Sequence, residues 1–222
     1  MDYTKNFDEV LQRIEKARLE ADEHRIIKIV AASKYVGAKE IEKMYQIGQR
    51  SFGENRVQDL KTKSLELIEL PIEWHYIGRV QTNKINALID LDPFLIHSLE
   101  SFEMAKEFDT RAEKKSKKIN LLLQINSSNE QSKAGCKVEE AEELYHKICD
   151  ECPNIILKGV MSIGAHSENE SEIAKSFEAT YRVFDKLRSK GAKYCSMGMS
   201  NDFELAIKLG SNMLRLGSVL FK

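Results

Sequence analysis

The chain has 222 residues, 42% hydrophobic and 31% charged, with 34 basic against 35 acidic side chains and a net charge of -1. A balanced charge argues against a dedicated nucleic-acid binder, which carries a basic excess, and no apolar run is long enough to span a bilayer. The length suits one α/β barrel domain over residues 1–222, and Met1-Asp2-Tyr3-Thr4-Lys5 lacks the apolar segment of a secretory signal, so a cytoplasmic protein is expected.

Phe7, Val10, Leu11, Ile14, Ala17 and Ala21 recur at helical spacing and predict an opening helix. Strand-like runs follow at 26–33, 50–53, 73–77, 94–98, 119–125, 155–162, 193–197 and 213–217. Amphipathic stretches at 38–48, 56–69, 82–90, 101–114, 138–151, 169–189 and 202–210 lie between them. Eight strands alternating with seven helices predict a parallel sheet, and this many repeats in so short a chain favour a closed (β/α)8 TIM barrel. The run Ile119-Asn120-Leu121-Leu122-Leu123-Gln124-Ile125 is nearly continuous in apolar residues, as a strand buried on both faces requires. Pro71, Pro93 and Pro153 each precede a strand, and the basic run 114–118 reads as a solvated connection. Cys149 and Cys152 form a C-x-x-C with His146 nearby, but no second pair completes a zinc site, and a redox motif would open a helix instead of closing one. No metal is expected.

Active sites of such barrels form where strands end. Lys34 ends the first strand, where a lysine facing a cavity can become an amine nucleophile toward an aldehyde. Ser196-Met197-Gly198-Met199-Ser200 and Arg215-Leu216-Gly217-Ser218 follow the last two strands, where bare backbone lets amides approach a phosphate. An aldehyde-reactive lysine with a phosphate cradle is what pyridoxal 5'-phosphate requires. Each residue also has a plainer reading. Lys34 could be a solvated strand end, Arg215 an ion-pair partner, His75 a core histidine, Glu54 a helix cap, and Met197 and Met199 core filling.

Several motifs recur in order along the whole chain. They are Ala32-Ser33-Lys34, Phe52-Gly53-Glu54-Asn55-Arg56-Val57-Gln58, His75-Tyr76-Ile77-Gly78-Arg79-Val80-Gln81-Thr82-Asn83-Lys84, Ser132-Lys133-Ala134-Gly135, Gly159-Val160-Met161-Ser162 and the two small-residue segments above. Together they resemble the pyridoxal phosphate homeostasis proteins, the YggS/PROSC family, related in fold to the N-terminal barrel of alanine racemase. The resemblance implies that Lys34 would hold pyridoxal phosphate as a Schiff base, and that Ser196, Gly217 and Ser218, aided by amides near Met197 and Gly198, would bind its phosphate. Arg215 would face the pyridine nitrogen, Asn55 would line the cofactor face, His75 and Gln81 to Lys84 would shape the rim, and Lys133 would be an accessory lysine. Val36 stands where the family often has a second lysine, and Leu216 and Ser218 replace the usual Ile and Thr. The implied function is intracellular buffering and delivery of the cofactor, to pyridoxal-phosphate-dependent apoenzymes, by a non-catalytic monomer with no nucleic-acid or membrane partner. The alternative is an amino-acid racemase. Related racemases take a second base from a further C-terminal domain, which is not expected here; Tyr35 and Lys133 are the remaining candidates.

Overall fold

The computed structural model describes residues 3–128, 130 and 134–221. Helix α1 (Tyr3–Ala21) precedes β1 (Lys28–Ala32), α2 (Ala38–Gln46), β2 (Ser51–Glu54), α3 (Val57–Glu66), β3 (Glu73–Tyr76), α4 (Ile85–Leu91), β4 (Leu95–Leu99), α5 (Phe102–Glu113) and β5 (Ile119–Asn126). The second half holds β6 (Cys136–Lys137), α6 (Ala141–Glu151), β7 (Ile155–Ser162), α7 (Glu170–Leu187), β8 (Tyr194–Ser196), α8 (Phe203–Lys208), β9 (Met213–Leu216) and α9 (Ser218–Phe221). All pairings are parallel, and contacts of β1 with β9 and of β4 with β5 close eight strands into a (β/α)8 barrel. The ninth, β6, pairs only with β5.

Side-chain alternation divides each strand between the barrel interior and the helical shell. Ala31, Leu214 and Leu216 point outward into a core shared with α1 and α2, through Phe7, Val10, Ile14, Ile41 and Met44. A larger outer core surrounds β4, β5 and β7 and includes Phe108, Tyr145 and Phe177. Inside the barrel, Val30, Leu95, Leu122, Met161 and Met213 form a small apolar cluster. The remaining interior side chains include His75, His97, Ser196 and Arg215, all buried. The interior is therefore half polar, which matters for the site above it.

Two elements depart from the sequence expectation. Leu11 and Ala21 do not join the buried face of α1; Leu11 is 39% exposed, because the stripe that meets α8 and α9 is Phe7, Val10, Ile14 and Ala17. The β6 segment was not expected, and no periodicity exists in two residues. It is held along β5 by Gln124 Nε2 donating to the Ala134 carbonyl (2.9 Å). No helix among the described residues is long and apolar enough to cross a membrane.

Phe108 is fully buried between α5 and the sheet. Phe108→Ala is expected to cost about 3–5 kcal/mol through lost burial and a residual cavity, measured by urea denaturation.

Candidate functional site

A cavity of about 790 Å³ opens at the C-terminal mouth of the barrel, lined by Lys34, Tyr35, Gly164, His166, Ser200, Asp202, Arg215, Gly217 and Ser218 among others. Its walls are the loops after β1, β7, β8 and β9. This is the end of the barrel where parallel strands converge their following loops.

Lys34 lies two residues beyond β1 and is exposed at the cavity wall, its Nζ 4.9 Å from the centre of the Tyr35 ring. It makes no hydrogen bond or ion pair among the described residues. The backbone that carries it is fixed from behind. Ser33 Oγ donates to Glu54 Oε1 (2.6 Å), and Lys63 Nζ donates both to Glu54 Oε1 (2.7 Å) and to the Ser33 carbonyl (2.9 Å). Glu54 is fully buried, so this ion pair is shielded from water and rigid. Glu54 therefore holds the lysine loop and does not cap the helix that follows it.

The opposite wall is built from backbone. Ser200 Oγ accepts from the Gly217 amide (3.2 Å) and the Val219 amide (3.4 Å), tying the β8 loop to the β9 loop. Asp202 Oδ1 accepts from the Met199 amide (2.6 Å) and closes the 199–202 turn. Burial raises the Asp202 carboxyl, while that amide and Arg215 pull it back down. Gly198 sits at φ +95°, and a Cβ there would lie 2.7 Å from that of Ala206, so the turn itself demands glycine. Gly217 differs. A Cβ at that position would meet only Ala32, at 3.5 and 3.6 Å, which is ordinary contact. Nothing inside the protein requires glycine there, yet its bare backbone faces the cavity.

Arg215 forms part of the cavity floor. Its Nη1 donates to the Ser196 carbonyl (2.9 Å) and Ser196 Oγ (2.7 Å), and its Nη2 donates to the Ser162 carbonyl (2.9 Å). Burial lowers its pKa to about 10, opposed by the nearby Asp202 carboxylate.

Of the residues singled out from sequence, Lys34, Arg215, Gly217 and Ser218 converge on this cavity. Ser196, Met197 and Gly198 lie beneath it. The Ser196 hydroxyl faces Arg215, the Met197 amide is spent on the Met213 carbonyl (3.2 Å), and the Gly198 carbonyl accepts from the Arg215 amide (3.1 Å). The part of that segment lining the cavity is Met199 to Asp202. His75 is buried inside the barrel, not at a rim, with Nδ1 2.9 Å from His97 Nε2. Asn55 is exposed beyond β2, and Gln81 to Lys84 are exposed around a 3-10 turn; neither lines the cavity. Lys133 lies outside the described residues. Sequence reasoning placed Ser200 in the small-residue segment without giving it a role of its own, and noted Gly164–His166 only as a strand end. Cys149 is exposed and Cys152 buried, and burial raises both thiols.

Lysine, arginine and bare backbone thus line one cavity at the mouth of a barrel. The family model of the alanine racemase N-terminal domain matches residues 5–222. A pyridoxal phosphate homeostasis protein of Helicobacter pylori is 50% identical over 222 residues, covering 100% of this chain and 99% of the relative. Its counterpart in Aquifex aeolicus is 36% identical over 225 residues, covering 100% and 98%. The structure of PipY from Synechococcus elongatus with PLP bound superposes with a TM-score of 0.80 at 28% identity, covering 95% of this chain and 99% of that one. The chain belongs to the pyridoxal phosphate homeostasis proteins of the alanine racemase N-terminal domain family.

The two glycines separate under mutation. Gly198→Ala is expected to cost about 2–4 kcal/mol, from the left-handed backbone and the Ala206 clash. Gly217→Ala is expected to stay within about 0.5 kcal/mol of the parent. Paired urea denaturation curves measure both.

Proposed function

We propose that this chain binds pyridoxal 5'-phosphate at the barrel mouth, with Lys34 as the covalent anchor, and serves cofactor homeostasis by holding and releasing it. The observation that carries the reading is the convergence of an unpaired lysine, a buried arginine and a glycine backbone that internal packing does not demand. When bound, the cofactor supplies an aldehyde that an amine captures reversibly and a ring that withdraws electrons.

Each residue has a separate task. The Glu54–Lys63 pair fixes the Ser33 backbone and so limits where Lys34 can reach. The bare backbone around Gly217 and Ser218, braced by Ser200, which accepts the Gly217 amide, would leave room for the phosphate without a side chain intervening. Arg215 would face the ring nitrogen from the floor. A guanidinium does not surrender its proton at neutral pH, so Arg215 would leave that nitrogen unprotonated and the ring a weaker electron sink. That choice supports carriage, or racemase-type chemistry, over transamination, and carriage agrees with the relatives' name.

Lys34→Ala is expected to lose the yellow absorption of the lysine-bound cofactor while its circular dichroism stays unchanged; an unaltered absorption spectrum would remove Lys34 from the site. A second measurement addresses carriage. Loaded protein mixed with amino acids in heavy water should show no Lys34-dependent exchange of the α-proton by NMR. Rapid exchange with inversion of configuration would make the protein a racemase.

A further inference from the structure

The barrel interior contains a line of polar side chains that the cofactor reading leaves without a task. It starts at the cavity floor, where Arg215 Nη1 donates to Ser196 Oγ (2.7 Å). Ser196 Oγ lies 3.4 Å from His97 Nδ1, and His97 Nε2 lies 2.9 Å from His75 Nδ1. His75 Nε2 has no hydrogen-bond partner among the described residues, and the carboxylate oxygen Glu73 Oε2 stands 4.0 Å away. Glu73 opens β3, at the N-terminal end of the barrel, and lines a different cavity there together with Lys28, Arg50 and Ser51. Lys28 and the Ser51 hydroxyl both donate to it, Ser51 at 2.9 Å. Thus the line runs from one mouth of the barrel to the other.

Its direction follows from what each group is able to do. Arginine only donates and an ionised carboxylate only accepts. Ser196, His97 and His75 each offer one proton and at least one lone pair. Ser196 accepts from Arg215, which leaves its proton for His97 Nδ1. His97 then carries its own proton on Nε2 and gives it to His75 Nδ1. His75 in turn carries a proton on Nε2, facing Glu73. The 4.0 Å gap exceeds hydrogen-bond length, but a charge so close still decides which ring nitrogen is protonated. Burial disfavours the cationic form of both histidines, His97 most strongly, and His75 and Arg215 beside it add to the effect. Glu73 is held down to about 2 by His75, Lys28 and Ser51, so the accepting end stays ionised.

We infer that His97 and His75 are positioning residues for Arg215. A one-way chain of polar contacts, from Arg215 through Ser196, His97 and His75 to Glu73, holds the guanidinium as a fixed donor beneath the cofactor cavity and ties the cofactor's surroundings to the opposite end of the barrel. This rests on the pyridoxal phosphate reading only for its effect on the cofactor; the proton positions belong to the chain alone.

Two measurements test it. In the cofactor-free protein labelled with 15N-histidine, long-range 1H–15N spectra at neutral pH are expected to show both His75 and His97 neutral and protonated on Nε2. In Glu73→Gln the amide is free to present either a donor or an acceptor, so the opposite tautomer should become populated at His97, two groups away. Protonation on Nδ1 at both rings of the parent would overturn the inference. In the second measurement, purified variants are titrated with pyridoxal phosphate. His97→Leu leaves the Ser196 hydroxyl without an acceptor and should weaken binding about tenfold and shift the visible band. His97→Asn, which keeps an acceptor near the Nδ1 position, should recover most of both. Glu73→Gln should shift the band although Glu73 lies outside the cofactor cavity. Unchanged affinity and spectrum in a folded His97→Leu would overturn the inference, and if that variant does not fold, the Glu73→Gln spectrum decides in the same way. A parent protein that binds no pyridoxal phosphate would instead defeat the functional reading, while the tautomers would still decide the chain of contacts.

Discussion

A guanidinium buried inside a closed barrel is the constraint around which this structure is arranged. Arg215 is 7% exposed, with sheet on every side and a cavity above. Removing such a charge from water is expensive unless its donors are met. The barrel meets them with two carbonyls, one hydroxyl and, behind that hydroxyl, two histidines set edge to face. That is why an interior which could have been filled with branched aliphatic side chains keeps only a small apolar cluster at Val30, Leu95, Leu122, Met161 and Met213.

The same arrangement divides labour between the two sides of the site. The lysine side is held by a buried ion pair, Glu54 with Lys63, that grips the residue before Lys34 and leaves the lysine itself without a hydrogen bond or ion pair among the described residues. The opposite side is held by backbone and short side chains, Ser200 and Asp202 among them. One side presents an exposed lysine on a fixed stem, and the other presents bare backbone held in place by Ser200 and Asp202. On the proposed reading such a site would capture an anionic aldehyde, as a carrier of that cofactor must.

Much of this was legible in the sequence, for reasons that differ by element. The eight barrel strands stood out because parallel strands buried on both faces read as continuous apolar runs, as at 119–125. Lys34, Arg215 and Gly217 stood out because strand ends are where a barrel builds its site. The fine placement of Ser196 to Ser200 was not legible. Three small residues interleaved with two methionines offer no clear periodicity, and which part faces the cavity depends on how β8 pairs with β9: the register pair Ser196 with Met213 spends the Met197 amide on the sheet and pushes the cavity-facing stretch onward to Met199. His75 was misplaced for a related reason. Its neighbour on the next strand, His97, lies 22 residues away, and only the pairing of β3 with β4 brings the two rings edge to face.

The sequence by itself determined the alternation of strands and helices, the position of the lysine and the small-residue segments, and the family to which they belong, because these are properties of local pattern and order. Tertiary structure alone decided which side chains share the cavity, that Glu54 braces the lysine loop, and that five polar residues from four strands line up through the barrel. Those are facts of strand register and inward or outward facing, and a one-residue shift in pairing would reverse every one of them.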